Sequence, residues 1–171
     1  MDFNLPKAIE KEIVFTQIAS FLEDLNFKVI QQDQTRPWGG FFVIDEQQAQ
    51  AFAAKFFPHL QMSQIQITNK LSPKILIVAP DKRLSWQYHY IRAEIWTILS
   101  GPVGVKTSDT DEEKELQILD KGQFIQMNKG ERHRLTGLNS WGIVAEIWQH
   151  TDPDNPSDED DIVRLQDDFG R

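Results

Sequence analysis

Between Lys7 and Leu25 the apolar residues Ile9, Ile13, Ile18, Leu22 and Leu25 recur at three- to five-residue steps, with Glu10, Lys11, Glu23 and Asp24 between them. That spacing predicts an amphipathic helix whose apolar stripe docks on the rest of the domain or on a second subunit. A second helix is predicted where Asp45 can act as N-cap, with Gln48 three residues on, followed by AQAFAAKFF and stopped by Pro58. The RPWGGFF stretch between them demands a turn at Pro37 and the Gly39-Gly40 pair. From Lys74 onward the period changes. KILIVA, EIWTIL, VGVKT, LQIL, QFIQM and GIVAEIWQ are short runs rich in Ile, Val and Trp, separated by Pro80-Asp81, Gly101-Pro102, Asp120 to Gly122, Lys129-Gly130 and Asn139 to Gly142. Runs of this length at this spacing predict a mainly β domain, a sandwich or barrel of the jelly-roll kind with helices at its N-terminal end. Ser108 to Glu115 reads as a hairpin loop and Asp152 to Asp161 as a surface loop, and no internal repeat is evident.

Composition narrows the picture. The 171 residues make one ordinary domain, and 40% hydrophobic content with 11 Phe and 5 Trp supports a packed core. Such a chain is expected to fold alone or as a small homo-oligomer such as a homodimer. A formal charge of -8, with no run of basic residues, argues against a nucleic-acid partner. The absence of cysteine excludes disulfides, thiolate metal sites and Cys nucleophiles. The N-terminal residues lack a signal-peptide pattern, and no run approaches the roughly eighteen apolar residues of a membrane span. A cytoplasmic protein without membrane contact is the expectation.

Candidate chemistry concentrates in SWQYHYIRAEIWTILSG, Ser85 to Gly101, in a chain with four histidines. On a strand Gln87 and His89 share one face, while Trp86, Tyr88 and Tyr90 share the other. Glu94 has the wrong parity for the same flat strand, so it is expected from the next strand of a hairpin or past a bulge. His133, in GERHRL, can join from a later strand after the Gly130 turn. Gln87, His89, Glu94 and His133 would then offer two imidazoles, one carboxylate and one amide oxygen to a single divalent ion. This N/O set suits Zn, Mn, Fe, Co or Ni and leaves a net charge near +1, which keeps the ion a Lewis acid. His59 and His150 read as ordinary surface histidines.

These stretches resemble the two motifs of the cupin superfamily. QYHYIRAEIWTILSG is similar to the first, with Gln87 at the first His position, and GQFIQMNKGERHRLTG is similar to the second. Asn128 stands where Pro is usual, and Gly137 where Asn is usual. The closer resemblance is to the C-terminal cupin domain of type II phosphomannose isomerases, which in full length also carry a mannose-1-phosphate guanylyltransferase half. RPWGG at Arg36 to Gly40, LSWQYHYIRAEIW, KGERHRL and DDIVRLQDDFGR occur in the family's order. The resemblance covers 36–171, leaves 1–35 as an N-terminal helical extension, and implies Zn as the ion. The Gly-rich nucleotide loop expected of a guanylyltransferase is not found in these residues.

The implied reaction is isomerisation of mannose 6-phosphate and fructose 6-phosphate, in which a proton moves between C1 and C2 through a cis-enediol. Glu146, on the same strand face as Trp148, and Lys74 on KILIVA are the candidate bases, and Arg92 is a further candidate for the catalytic set. Arg36, Arg164 and Arg171, with Arg92, are candidates for the substrate phosphate. Arg92 can instead pair with Glu94 or Glu146, and Arg36 can pin the Trp38 turn. Two other readings stay open. One is an isomerase or epimerase of another sugar phosphate, such as a heptose or glucose phosphate, and the other is a non-catalytic sugar-binding cupin.

Overall fold

Eleven strands fall into two antiparallel sheets in the computed structural model, which describes residues 3–65 and 70–171. The larger sheet has the order β1-β2-β3-β10-β5-β8, formed by Val29–Asp33, Gly39–Ile44, Lys74–Val78, Gly142–His150, Arg92–Ser100 and Phe124–Met127. The smaller has the order β11-β4-β9-β6-β7, formed by Val163–Gln166, Trp86–Tyr88, Arg132–Gly137, Val103–Ser108 and Gln117–Leu119. Every pairing is antiparallel. The non-sequential strand order, with a core between two facing sheets, is the expected cupin jelly roll.

Alternation along the strands of the larger sheet separates two cores. Leu76 and Val78 of β3, Val144 of β10 and Trp96 and Ile98 of β5 point between the sheets, where they meet Val103, Val105, Leu135 and Trp38. The residues between them, Ile75, Ile77, Ile143, Ala145, Ile147 and Ile95, point the other way and pack against helices. This is why β3, β5 and β10 read as nearly continuous apolar runs: both faces of the sheet are covered.

The helix α1 spans Lys11–Asp24, starting later than the periodicity suggested, because Ile9 N already bonds to Pro6 O in a turn. Its buried stripe is Val14, Phe15, Ile18 and Leu22, whereas Ile13 is 48% exposed. The four buried positions follow a helical repeat of three to four, and Ile13 falls off that line. Asp45 caps a single 3-10 turn, Glu46–Gln48, by accepting from Gln47 N at 3.1 Å, and α2 follows at Ala49–Phe56. Gln48 does not close a capping box; its side chain accepts from Lys28 N and donates to Asn26 O. A four-residue helix, α3, covers Met62–Ile65. Phe27, Phe52 and Phe56 pack edge-on and tilted within this outer core.

The Gly39-Gly40 pair opens β2 rather than forming the turn itself, which lies at Pro37-Trp38. A Cβ on Gly39 would run into the Ile77 carbonyl, and one on Gly40 into the Asp33 carbonyl. Both glycines also have positive φ, 143° and 158°. Only glycine permits this approach, which follows directly on the turn that carries Arg36 and the buried Trp38. Two departures from the cupin motif have local explanations as well. A Cβ at Gly137 would meet the Ala79 carbonyl, so its backbone fits a glycine, and a larger residue there would have to shift it. Asn128 N donates to Glu131 Oε2 at 2.8 Å, a bond that proline could not make.

No helix among the described residues is long and apolar enough to cross a membrane.

Candidate metal centre

Register places the polar residues in rows on the barrel's inner surface. Side chains directly opposite one another on paired strands share a face. Across β3, β10 and β5, Lys74 pairs with Glu146 and Glu146 with Trp96; in the next row Trp148 pairs with Glu94. On the facing sheet Gln87 of β4 pairs with His133 of β9. His89 lies just beyond β4, in the short link that crosses from one sheet to the other before β5 begins. Glu94 therefore arrives from the opposite sheet, and not from a hairpin partner of β4, since β4 and β5 are not paired.

His89, Glu94 and His133 converge, each 1–2% exposed. Their ligand atoms lie within 4.8 Å of one another, a cluster that could hold a metal ion. His89 Nε2 is 2.9 Å from Glu94 Oε1, and His133 Nε2 is 3.3 Å from Glu94 Oε2. Each imidazole uses its other nitrogen on a backbone carbonyl: His89 Nδ1 with Asp161 O at 2.6 Å and His133 Nδ1 with Glu131 O at 3.0 Å. With Nδ1 carrying the hydrogen, both Nε2 lone pairs face the carboxylate. Glu94 Oε2 and His133 Nε2 are buried without a hydrogen-bond partner. Two acceptors left facing each other are costly unless a cation or a shared proton lies between them. The donor set and these orphaned atoms fit a divalent ion.

Electrostatics agree. Burial alone would raise the Glu94 carboxyl, but His89, Arg92 and His133 outweigh it and hold it well below the ordinary carboxylate range. Burial alone would lower the His133 imidazole, yet its contact with Glu94 raises it. Glu94 thus stays anionic and keeps its neighbours attracted. Gln87 is half-buried, its Oε1 accepting from Ser85 Oγ at 2.6 Å, and it lines the same cavity as Glu94.

That cavity is also lined by Lys74, Arg92, Glu146, Arg36, Arg164 and Arg171, while His89 and His133 are not among its lining residues. Trp38, Phe41, Trp96 and Trp148 supply aromatic walls. Glu146 is 5% exposed and accepts from Trp96 Nε1 at 3.0 Å and Trp148 Nε1 at 3.1 Å. Burial, with the Glu94 charge added, pushes its carboxyl up to about 7. Lys74 lies over the Trp148 ring at 4.3 Å and pairs with Glu159, a residue the sequence pattern did not single out. Arg92 is buried on the Trp148 ring, 3.6 Å from its centroid, and donates to Glu94 Oε1 at 2.9 Å. Arg36 pairs with Asp33, and Arg171 with Asp167, each at 2.8 Å. Burial and the nearby Arg171 lower Arg164.

Two readings of the sequence need correction. His150 is not a surface histidine: it is 1% exposed, its Nδ1 accepts from Ser157 N at 3.0 Å, and burial pushes its imidazole down to about 4. Nor is the acidic stretch Asp152 to Asp161 wholly a surface loop, because Ser157 within it is 0% exposed and accepts from Arg92 Nη1. His59 is exposed and stacks on Phe124 with ring centroids 3.7 Å apart.

The chain belongs to the family described as mannose-6-phosphate isomerase, C-terminal, which matches residues 45–167. Among characterised relatives it is 30% identical over 136 residues to the xanthan biosynthesis protein XanB of Xanthomonas campestris, covering 80% of this chain and 23% of that one. It is 28% identical over 150 residues to a mannose-1-phosphate guanylyltransferase of Salmonella montevideo, covering 88% and 26%. The chain thus spans about a quarter of the length of the curated relatives it matches. In fold it is similar to the capsular polysaccharide assembling protein CapF of Staphylococcus aureus, with a TM-score of 0.54 at 13% identity over 80% of this chain and 34% of that one.

Proposed function

We propose that this cupin domain is a metal-dependent isomerase that interconverts mannose 6-phosphate and fructose 6-phosphate through a cis-enediol. One observation carries the reading. A single cavity joins Glu94 of the buried His-Glu-His cluster, and Gln87 beside it, to a carboxyl pushed up to about 7 and to the guanidinium groups of Arg36, Arg164 and Arg171. His89, Glu94 and His133, with Gln87 as fourth ligand, would hold the ion. When bound, a divalent metal supplies Lewis-acid polarisation of the sugar's carbonyl and hydroxyl oxygens.

The chain's own groups do the rest. Glu146 has the acidity suited to accept a proton from one carbon and return it to the other near neutral pH. The indole N–H groups of Trp96 and Trp148 aim its carboxyl oxygens. Lys74, its register partner, places an ammonium beside it. Arg36, Arg164 and Arg171 offer guanidinium forks to a phosphate at the mouth. Arg92 is committed to Glu94, Ser157 and Asp158, and so fixes the ligand carboxylate.

Elemental analysis of the purified protein, together with coupled assays on mannose 6-phosphate, glucose 6-phosphate and heptose phosphates, tests the proposal. Bound metal, turnover of mannose 6-phosphate and loss of both in His133→Ala are expected. Turnover of a different sugar phosphate would change the substrate. Full metal loading with no turnover would make the domain a binding module.

A further inference from the structure

The link that carries His89 from one sheet to the other has its backbone tied on both sides. His89 O accepts from Gly130 N at 2.9 Å, and Ile91 O accepts from Thr151 N and Oγ1. The remaining groups converge on one residue. Asp161 Oδ1 accepts from Tyr90 N at 2.8 Å, and Oδ2 accepts from Ile91 N at 3.1 Å and from Ser157 Oγ at 2.7 Å. The Asp161 carbonyl takes His89 Nδ1 at 2.6 Å and Arg92 Nη1 at 3.3 Å. Burial would raise this carboxyl, but the Ser157 hydroxyl and the two amides hold it below its ordinary value.

We propose that Asp161 is a positioning residue for the metal-binding cluster, fixing the tautomer of His89 with its carbonyl and the Tyr90-Ile91 backbone with its carboxylate. The inference rests on the metal reading of the cluster given above. A hydrogen bond to the distal nitrogen of a ligating imidazole sets which nitrogen has the free lone pair and where the ring points. Here a single residue supplies that bond and also anchors the backbone on which the ring is mounted. The acidic stretch is in this way part of the site although it contributes no ligand.

Zn(II) affinity, measured on folded protein by competition with a chromophoric chelator, is expected to fall about ten- to a hundred-fold in Asp161→Ala. Asp161→Asn, with one acceptor oxygen for three donors, should lie between Ala and wild type. The visible spectrum of the Co(II)-loaded protein should change in the same order. A purely structural role would lower the melting temperature and leave Zn(II) affinity and the Co(II) spectrum of the folded variants at wild-type values, and that result overturns the proposal. A second measurement is independent of metal. Both variants keep the backbone carbonyl of residue 161, so they act only by releasing the carboxylate that anchors it against Tyr90 and Ile91. Imidazole nitrogen NMR of chelator-treated wild type should show His89 with its hydrogen on Nδ1, and the variants, whose carbonyl is no longer held there, a partial shift to the other tautomer. If wild type binds neither ion, the isomerase reading fails, while an unchanged His89 tautomer in the variants separately rejects the role of Asp161.

Discussion

Lys74 and Glu146 are direct partners on the neighbouring strands β3 and β10, and both line the cavity that reaches Glu94 of the His-Glu-His cluster. An ammonium beside a buried carboxyl favours the anion, yet burial and the Glu94 charge win and push Glu146 up to about 7.

This has a consequence for stability. Glu146 has an ordinary value of 4.5 and a folded value of about 7, so its contribution is fully present below 4.5 and is lost as pH rises through 7. In chelator-treated protein, Glu146→Gln should gain up to roughly 3 kcal/mol over wild type between about pH 5 and pH 8. Urea unfolding at the two pH values measures it. Activity should fall in the same variant, since glutamine cannot move a proton.

His150 acts in the opposite sense. Its ordinary value is 6.5 and its folded value about 4, so its contribution is present above 6.5 and is lost as pH falls through 4. His150→Asn should flatten the acid limb of the stability curve, while Glu146→Gln flattens the neutral limb. Melting temperatures of the two variants across this range should diverge from wild type at opposite ends.

Metal removal should register as a change in stability. Ligands that bind only the folded state raise its stability by about 1.4 kcal/mol for each tenfold excess over their dissociation constant. Added Zn(II) should raise the wild-type melting temperature and a chelator should reverse it. His133→Ala should show no such response.

Glu159 reaches from the acidic stretch to Lys74 while its own side chain is 70% exposed. Under the proposed function, an anionic substrate reaching this part of the cavity would compete with it for the ammonium. Glu159→Gln should therefore lower KM for the phosphosugar several-fold with little change in kcat. Stability should shift little, because solvent screens the exposed Glu159 carboxylate although its partner Lys74 is buried. Steady-state kinetics and a melting curve together separate the two effects.

At Gly39, alanine should be strongly destabilising, because the added Cβ meets the backbone carbonyl of Ile77 at a residue with φ of 143°. A loss of several kcal/mol is the expected range for overpacking combined with backbone strain. Gly122, where an added Cβ meets nothing, should lose only about 1–2 kcal/mol from its positive φ alone. Chemical denaturation of the pair compares the two causes.

By itself the sequence determined the change of period at Lys74, the β character beyond it and the identity of the residues that converge. Those features depend on local spacing: apolar runs of strand length between Gly and Pro turns, and His89, Glu94 and His133 set in recognisable motifs. The edge strands β1 and β11 were not legible, because short, largely polar edge strands carry little apolar periodicity. Ile13 looked like core because spacing alone does not say which of two adjacent apolar residues, Ile13 or Val14, faces the sheet. Only the tertiary structure decided that His150 and Ser157 are buried, that Arg92 also donates to Ser157 and Asp158, and that Asp161 holds the link bearing His89. Each of these depends on partners more than sixty residues apart in sequence or on the packing of the core, and burial and long-range hydrogen bonds leave no periodic trace along the chain.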